Sequence, residues 1–331
     1  SISVMSLFFF TGKETLWVAI VFSILASIGF WGSIVFYNAY LPEVAKPEQH
    51  DIVSAKGFMM GYTGSILLLV VCLVLIETSV FGFYDKQFGS QLSFVLVGLW
   101  WFGFAQVTYT NLPNEEKITL PKDNYFKKGL KEIKKVSKEL LTKKELKVFL
   151  ISFSLLSIGV QTMILMAGIF GTILGLETLN LIATIILVQF VAILGAFLFS
   201  RLSNKIGNLK TLKITIAIWG LVCFVGFNLT KDTPNIELYF YVLGGLIGLV
   251  LGAIQSLCRS TYSKLLPKTE DTTSYFSFYD VTEKIALVIG MVTFGILNSV
   301  ISIQSSVLAL AIFFLAAFIS ISRLKKTEYV Y

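Results

Sequence analysis

From Thr178 to Ser200 the chain reads TLNLIATIILVQFVAILGAFLFS, 23 positions without one charged side chain, closed by Glu177 and Arg201. A helix needs about 20 mostly apolar residues to cross the hydrocarbon core of a bilayer. The same ruler, moved outward in both directions, finds one partial span at 1–10. It also finds nine full ones: 16–38, 56–77, 90–110, 147–171, 178–200, 213–230, 236–257, 275–298 and 303–322. The expected fold class is all-α, a polytopic transmembrane helical bundle.

Composition excludes most other classes. Of 331 residues, 55% are hydrophobic and only 14% charged, with a mean hydropathy of +0.79. A soluble domain of this length needs far more polar surface, whereas a lipid-facing helix is free to be apolar all round. The net charge of +7 does not describe a nucleic-acid face, because the lysines sit between the spans. Taking loops alternately, one set (39–56, 111–147, 200–213, 258–274, 323–331) holds 23 of the 27 Lys and Arg residues. The other set holds Lys13, Lys86 and Lys231, and Lys284 falls inside a span. Basic loops favour the cytoplasmic side, so the lysine-rich set is expected there. A miscounted span would scramble the alternation.

Cys72, Cys223 and Cys258 are far apart and show no metal or disulfide spacing, and His50 is the single histidine. They point to no metal centre and no cofactor. No clustered nucleophile, base or metal ligands suggest an enzyme.

Charges inside apolar spans are costly, about 3 kcal/mol at the bilayer centre, so the exceptions mark candidate sites. Asp280, Glu283 and Lys284 stand at i, i+3 and i+4 on one helix face. They are placed one to two turns from the cytoplasmic end, as a substrate or proton path or as a structural Asp280–Lys284 pair. Neutral amides add Asn38, Gln106, Gln161, Gln189 and Gln255, which line a path or hold helices together. Of these, Gln161 and Gln189 lie deepest in the second half. Small-residue stripes at Gly57, Gly61 and Gly64, and at Gly244, Gly245, Gly248 and Gly252, suit close helix approach. Between lysines, Phe126, Leu130, Ile133, Leu140 and Leu141 recur at helical spacing, which predicts an amphipathic helix on the membrane surface.

The segment 36–43, FYNAYLPE, with Asp51-Ile52-Val53-Ser54-Ala55-Lys56-Gly57 and Gly61-Tyr62-Thr63-Gly64-Ser65, resembles the autophagy-related vacuole effluxer family of the major facilitator superfamily. Gln255-Ser256-Leu257-Cys258-Arg259-Ser260 and Phe278-Tyr279 with Lys284 are similar to that family's later signature, and the resemblance covers the whole chain. In 200–210, SRLSNKIGNLK, the residues Lys205, Gly207 and Lys210 match the superfamily's cytoplasmic loop motif. Ser200 and Asn204 stand where Gly and Asp are usual, so a strong charge relay is not expected there.

Major facilitator proteins have two six-helix halves joined by a central loop. Six full spans follow the lysine-rich segment, while three and a fraction precede it. The first half is therefore expected to lack two to three helices, in keeping with a start at Ser1 rather than Met; the alternative is a naturally ten-span protein. A faint echo relates the halves: Leu41-Pro42 and Leu266-Pro267 each precede acidic residues and a new span. The expected organisation has the remainder of the first half at 1–110 and a linker with the basic helix at 111–146. A six-helix half at 147–322 and a cytoplasmic tail at 323–331 complete it.

The resemblance implies a permease for small organic solutes, with amino-acid efflux attributed to the eukaryotic branch. The expected mechanism is alternating access with proton coupling through Glu283 or Asp280. The alternative is a lipid scramblase or a non-transporting membrane scaffold. Expected partners are the lipid bilayer, a small-molecule substrate and protons, with no nucleic acid. The chain is expected to be a monomer in a plasma or inner membrane rather than a vacuolar one.

Overall fold

A computed structural model describes residues 1–10, 12–78, 86–112, 125–267, 269 and 271–324. Among them are twelve α-helices: α1 (Ile2–Ser6), α2 (Leu16–Ala39), α3 (Leu41–Val44), α4 (His50–Glu77), α5 (Lys86–Asn111), α6 (Tyr125–Thr142), α7 (Lys144–Ile173), α8 (Thr178–Ile206), α9 (Asn208–Asn228), α10 (Ile236–Leu265), α11 (Thr272–Val300) and α12 (Ile303–Ser322). Eight of them (α2, α4, α5, α7, α8, α9, α10 and α12) are long and apolar enough to cross a membrane. The ninth expected span forms as α11, 29 residues long, but Asp280, Glu283 and Lys284 interrupt its apolar surface. The expected partial span at 1–10 is one short helix followed by a 3-10 turn at Leu7–Phe9.

Most helices run beyond the apolar spans, and they do so mainly at their lysine-rich ends. Against expected limits of 56, 147, 200, 213, 257 and 275, the helices reach His50, Lys144, Ile206, Asn208, Leu265 and Thr272. Hydropathy stops counting at the first cluster of polar side chains. The helix itself continues wherever those side chains are satisfied by neighbours. Arg259 and Lys264, read as loop cations, therefore lie on α10, and Asp51 lies in the first turn of α4. Capping explains where α11 does begin: the Asp271 carboxylate accepts the Ser274 backbone N–H at 3.0 Å.

The chain divides into two compact units, residues 1–36 with 64–128, and residues 37–63 with 129–331. In the first, α1 and the 3-10 turn pack on α5. The Gln91 side-chain amide donates to the Phe8 carbonyl at 2.9 Å, and Met5 covers Gly98 so closely that a Cβ there would overlap it. Phe30 meets Trp101 edge to face at 5.3 Å.

In the second unit, α7 packs against α11 and α12, α9 against α12, and α10 against α8 and α9. The α8–α10 contact is the tightest. A Cβ at Gly252 would strike the Ala192 carbonyl, at Gly248 that of Val188, and at Gly195 that of Leu249. Gly244 also faces α8, whereas Gly245 meets nothing within 4 Å. In the earlier stripe only Gly57 is tightly enclosed; Gly61 has open space. One residue turns the chain from α8 into α9, and Gly207 makes that turn at φ 90° and ψ 152°, a backbone region that L side chains rarely adopt. Outward surfaces carry large apolar side chains such as Phe190, Phe224, Ile312 and Leu315, each 57% exposed or more. Such a belt would aggregate in water and is stable in lipid.

The basic helix forms as α6, and part of the expected stripe is buried. Val136 and Leu140 are buried, while Leu130 and Leu141 remain exposed. Leu140 and the half-buried Ile133 belong to the expected stripe; Val136, one turn before Leu140, joins them, and Leu130 and Leu141 fall outside it. The Phe126 side chain, Glu270 and the tail beyond Leu324 lie outside the described residues.

Candidate functional site

Two polar clusters interrupt the apolar interior of the second unit. The first gathers three of the lysine-rich loops at one place. Asp51, at the start of α4, accepts from Lys264 Nζ (2.8 Å) and Asn208 Nδ2 (2.7 Å) on Oδ1, and from Ser203 Oγ (2.8 Å) on Oδ2. Lys264 also donates to Asn208 Oδ1 at 2.8 Å, and Asn208 reaches Ser260 and Thr261 at 3.3 and 3.2 Å. The Lys264 and Asp51 side chains are 5% and 2% exposed. This is a buried ion pair with its remaining valences filled by hydrogen bonds, the condition under which such a pair is tolerated.

Arg259 lies one to two turns before Lys264 on α10 and is also buried. It donates from Nε to Ser54 Oγ (2.9 Å), from Nη2 to the Ser54 carbonyl (2.8 Å) and from Nη1 to Asn38 Oδ1 (3.2 Å). Its guanidinium lies over the rings of Tyr37 and Phe58, at 4.8 and 4.7 Å from their centroids. Gly57 makes room here: a Cβ would overlap the Tyr37 hydroxyl and stand 3.1 Å from Arg259 Nη2. Nearby, Thr272 Oγ1 donates to Glu43 Oε1 at 2.9 Å. The two segments that echo each other in sequence thus touch.

The second cluster lies deeper. Glu283 stands eleven residues after Thr272, about 17 Å along the helix at 1.5 Å per residue. Counted from Thr272, where α11 begins ahead of its apolar run, Glu283 is about three turns along the helix. Gln161 on α7 donates to Glu283 Oε1. Lys284 Nζ lies 3.0 Å from Glu283 Oε2 and 3.4 Å from Asp280 Oδ1. The side chains of Asp280, Glu283 and Lys284 are 12%, 20% and 27% exposed, so the face they share is turned into the protein. Two carboxylates and one ammonium leave one negative charge in excess if both acids are ionised. Packed beside this group, Tyr279 stacks on Phe153 with centroids 4.0 Å apart, and Tyr262 donates to the Tyr275 carbonyl at 2.8 Å.

The expected residues thus separate. Gln161, Asp280, Glu283 and Lys284 come together, and Asn38 joins Arg259. Gln255 on α10 accepts from the Tyr62 hydroxyl. Gln189 is half-buried on α8 and joins neither cluster. Gln106 is exposed and donates to the Phe102 carbonyl of its own helix. Lys205 and Lys210 are exposed; Gly207 works as the turn, while Ser203 and Asn208 within the same motif reach the acid. The acid that meets this motif is Asp51, from another helix. Asp51, Ser54, Ala55 and Phe58 share one face at i, i+3, i+4 and i+7, a stripe that signals helix before Lys56.

A family model described as "Vacuole effluxer Atg22 like" matches residues 1–328. An uncharacterized MFS-type transporter of Bacillus subtilis, YxiO, is 26% identical over 283 residues, covering 85% of this chain and 64% of the relative. Autophagy-related protein 22-1 of Aspergillus niger is 26% identical over 266 residues, covering 74% of this chain and 42% of its own. The chain thus spans less than two thirds of either relative. A solved structure of a bacterial homologue of the iron transporter ferroportin, in an outward-facing state, superposes with a TM-score of 0.61 at 13% identity. That match covers 94% of this chain and 73% of the other, and it shows the major facilitator fold. The chain is a multi-pass membrane protein and belongs to the Atg22-like vacuole effluxer family of MFS-type transporters.

Proposed function

We propose that the protein is a secondary transporter that moves a small organic solute by alternating access, coupled to protons through Glu283. The observation that carries this reading is the Gln161–Glu283–Lys284–Asp280 group, held among otherwise apolar helices. Two carboxylates sharing one ammonium at that depth are expensive unless the group binds a proton or a further cation. A proton taken up by the acidic pair would remove the excess charge and its loss would restore it, so proton occupancy of the group would bias which conformation is favoured. The inward direction of these side chains favours a transporter over a lipid scramblase, which needs a polar groove open to the bilayer.

Amino acids are the substrate class proposed, as the resemblance to the vacuole effluxer family implies. The bacterial relative, aligned over 85% of this chain, favours a plasma or inner membrane. The Asp51–Lys264 network would then close the lysine-rich side, proposed as cytoplasmic. In proteoliposomes containing the complete protein, an imposed pH gradient is expected to drive accumulation of an amino-acid mixture, and a protonophore to abolish it. Equal uptake with and without the gradient would refute proton coupling, and no uptake of any solute would refute the transporter reading.

A further inference from the structure

Arg259 is a buried cation without an acidic partner: among the described residues no carboxylate lies within 4.0 Å of it. Five residues further along α10, Lys264 has Asp51. The same two helices therefore supply a counter-charge to the lysine and none to the arginine. Buried guanidinium groups are normally paired with an anion, and arginine cannot lose its proton to escape the cost. Of its five N–H donors, three are matched, all by the neutral acceptors Asn38 and Ser54.

Every one of those acceptors, and both flanking rings, comes from residues 37–63. If that segment withdraws from α10 during transport, Arg259 loses three hydrogen bonds and two ring contacts together. A planar fork of donors, still on a rigid helix, would remain. Its geometry matches two oxygens of a carboxylate or phosphate. We infer that Arg259 is the anion-recognition group of the transport path, which exchanges Asn38 and Ser54 for an oxyanion of the solute. This rests on the alternating-access reading above.

The test is thermal unfolding of the complete, detergent-purified protein with millimolar acetate, L-alanine or inorganic phosphate, and with acetamide and L-alaninamide as controls. At least one oxyanion is expected to raise Tm by about 3 °C, with carboxylate and phosphate told apart by which probe acts. Arg259→Gln removes the shift, and Arg259→Lys, which cannot form the fork, reduces it. Asn38→Ala enlarges the shift, because it removes a competing acceptor; a purely structural arginine would give no such gain. No shift with any of the three oxyanions, a shift that survives Arg259→Gln, or, should that variant not fold, an unchanged shift in both Arg259→Lys and Asn38→Ala, overturns the inference. Proton-driven uptake of a solute without an oxyanion, untouched by Arg259→Lys, also overturns it while the transporter reading stands. Arg259-dependent stabilisation with no transport of any solute supports the site and refutes the transporter.

Discussion

Asp51→Ala is expected to destabilise the folded protein by about 3–5 kcal/mol, the cost of breaking a buried ion pair by removing one member. Lys264 is 5% exposed and would keep its charge while losing the Asp51 carboxylate, with Asn208 still accepting. Ser203 and Asn208 would each lose an acceptor as well. Replacing the pair together tests whether the charge itself matters. Asp51→Leu with Lys264→Met removes both ions, and it should recover most of the loss, because apolar replacements of a buried pair are often neutral. Unfolding in denaturant or by heat, followed by intrinsic fluorescence, reads both. An Asp51→Ala loss below about 0.5 kcal/mol, the size of an ordinary surface change, would mean that this network does not hold the lysine-rich ends together.

Glu283→Gln is expected to reduce proton-driven uptake about 100-fold, the lower end of what a removed proton-transfer group costs. Glutamine has nearly the same shape, so the oxygen that accepts from Gln161 is retained. What disappears is the proposed proton site and one carboxylate charge. Lys284 keeps Asp280 as its partner, so folding should be little affected. Solute exchange without a pH gradient is expected to survive better than gradient-driven accumulation. Accumulation equal to that of the unchanged protein would remove Glu283 from the mechanism.

The span pattern was legible because hydrocarbon imposes one strong rule, about 20 apolar residues per crossing. Asp280, Glu283 and Lys284 stood out by the same rule, as exceptions to it. Asp51, Arg259 and Lys264 did not, although Asp51 and Arg259 occur in the segments that carry the family resemblance. They lie where the apolar runs have already ended, and there a buried charge and a loop charge look alike in one sequence. Only the crossing of α4, α8, α9 and α10 shows that Asp51 meets Ser203, Asn208 and Lys264. The partner of an amide is equally invisible: Gln161 and Gln189 looked alike, yet only Gln161 reaches Glu283. The exposure of Leu141 on α6 has a similar origin, since Leu141 and Leu140 are neighbours in sequence and a bundle can cover only one of them.

All of this depends on which side of the bilayer each loop occupies. Single cysteines at Lys131, Lys210 and Lys231, introduced after replacing the half-buried Cys72 with serine, can be labelled in intact cells with an impermeant maleimide. Position 231 should react from outside, and positions 131 and 210 should react only after the membrane is permeabilised. Labelling of 131 and 210 from opposite sides would contradict the layout, and with it the transport path built on α7, α10 and α11.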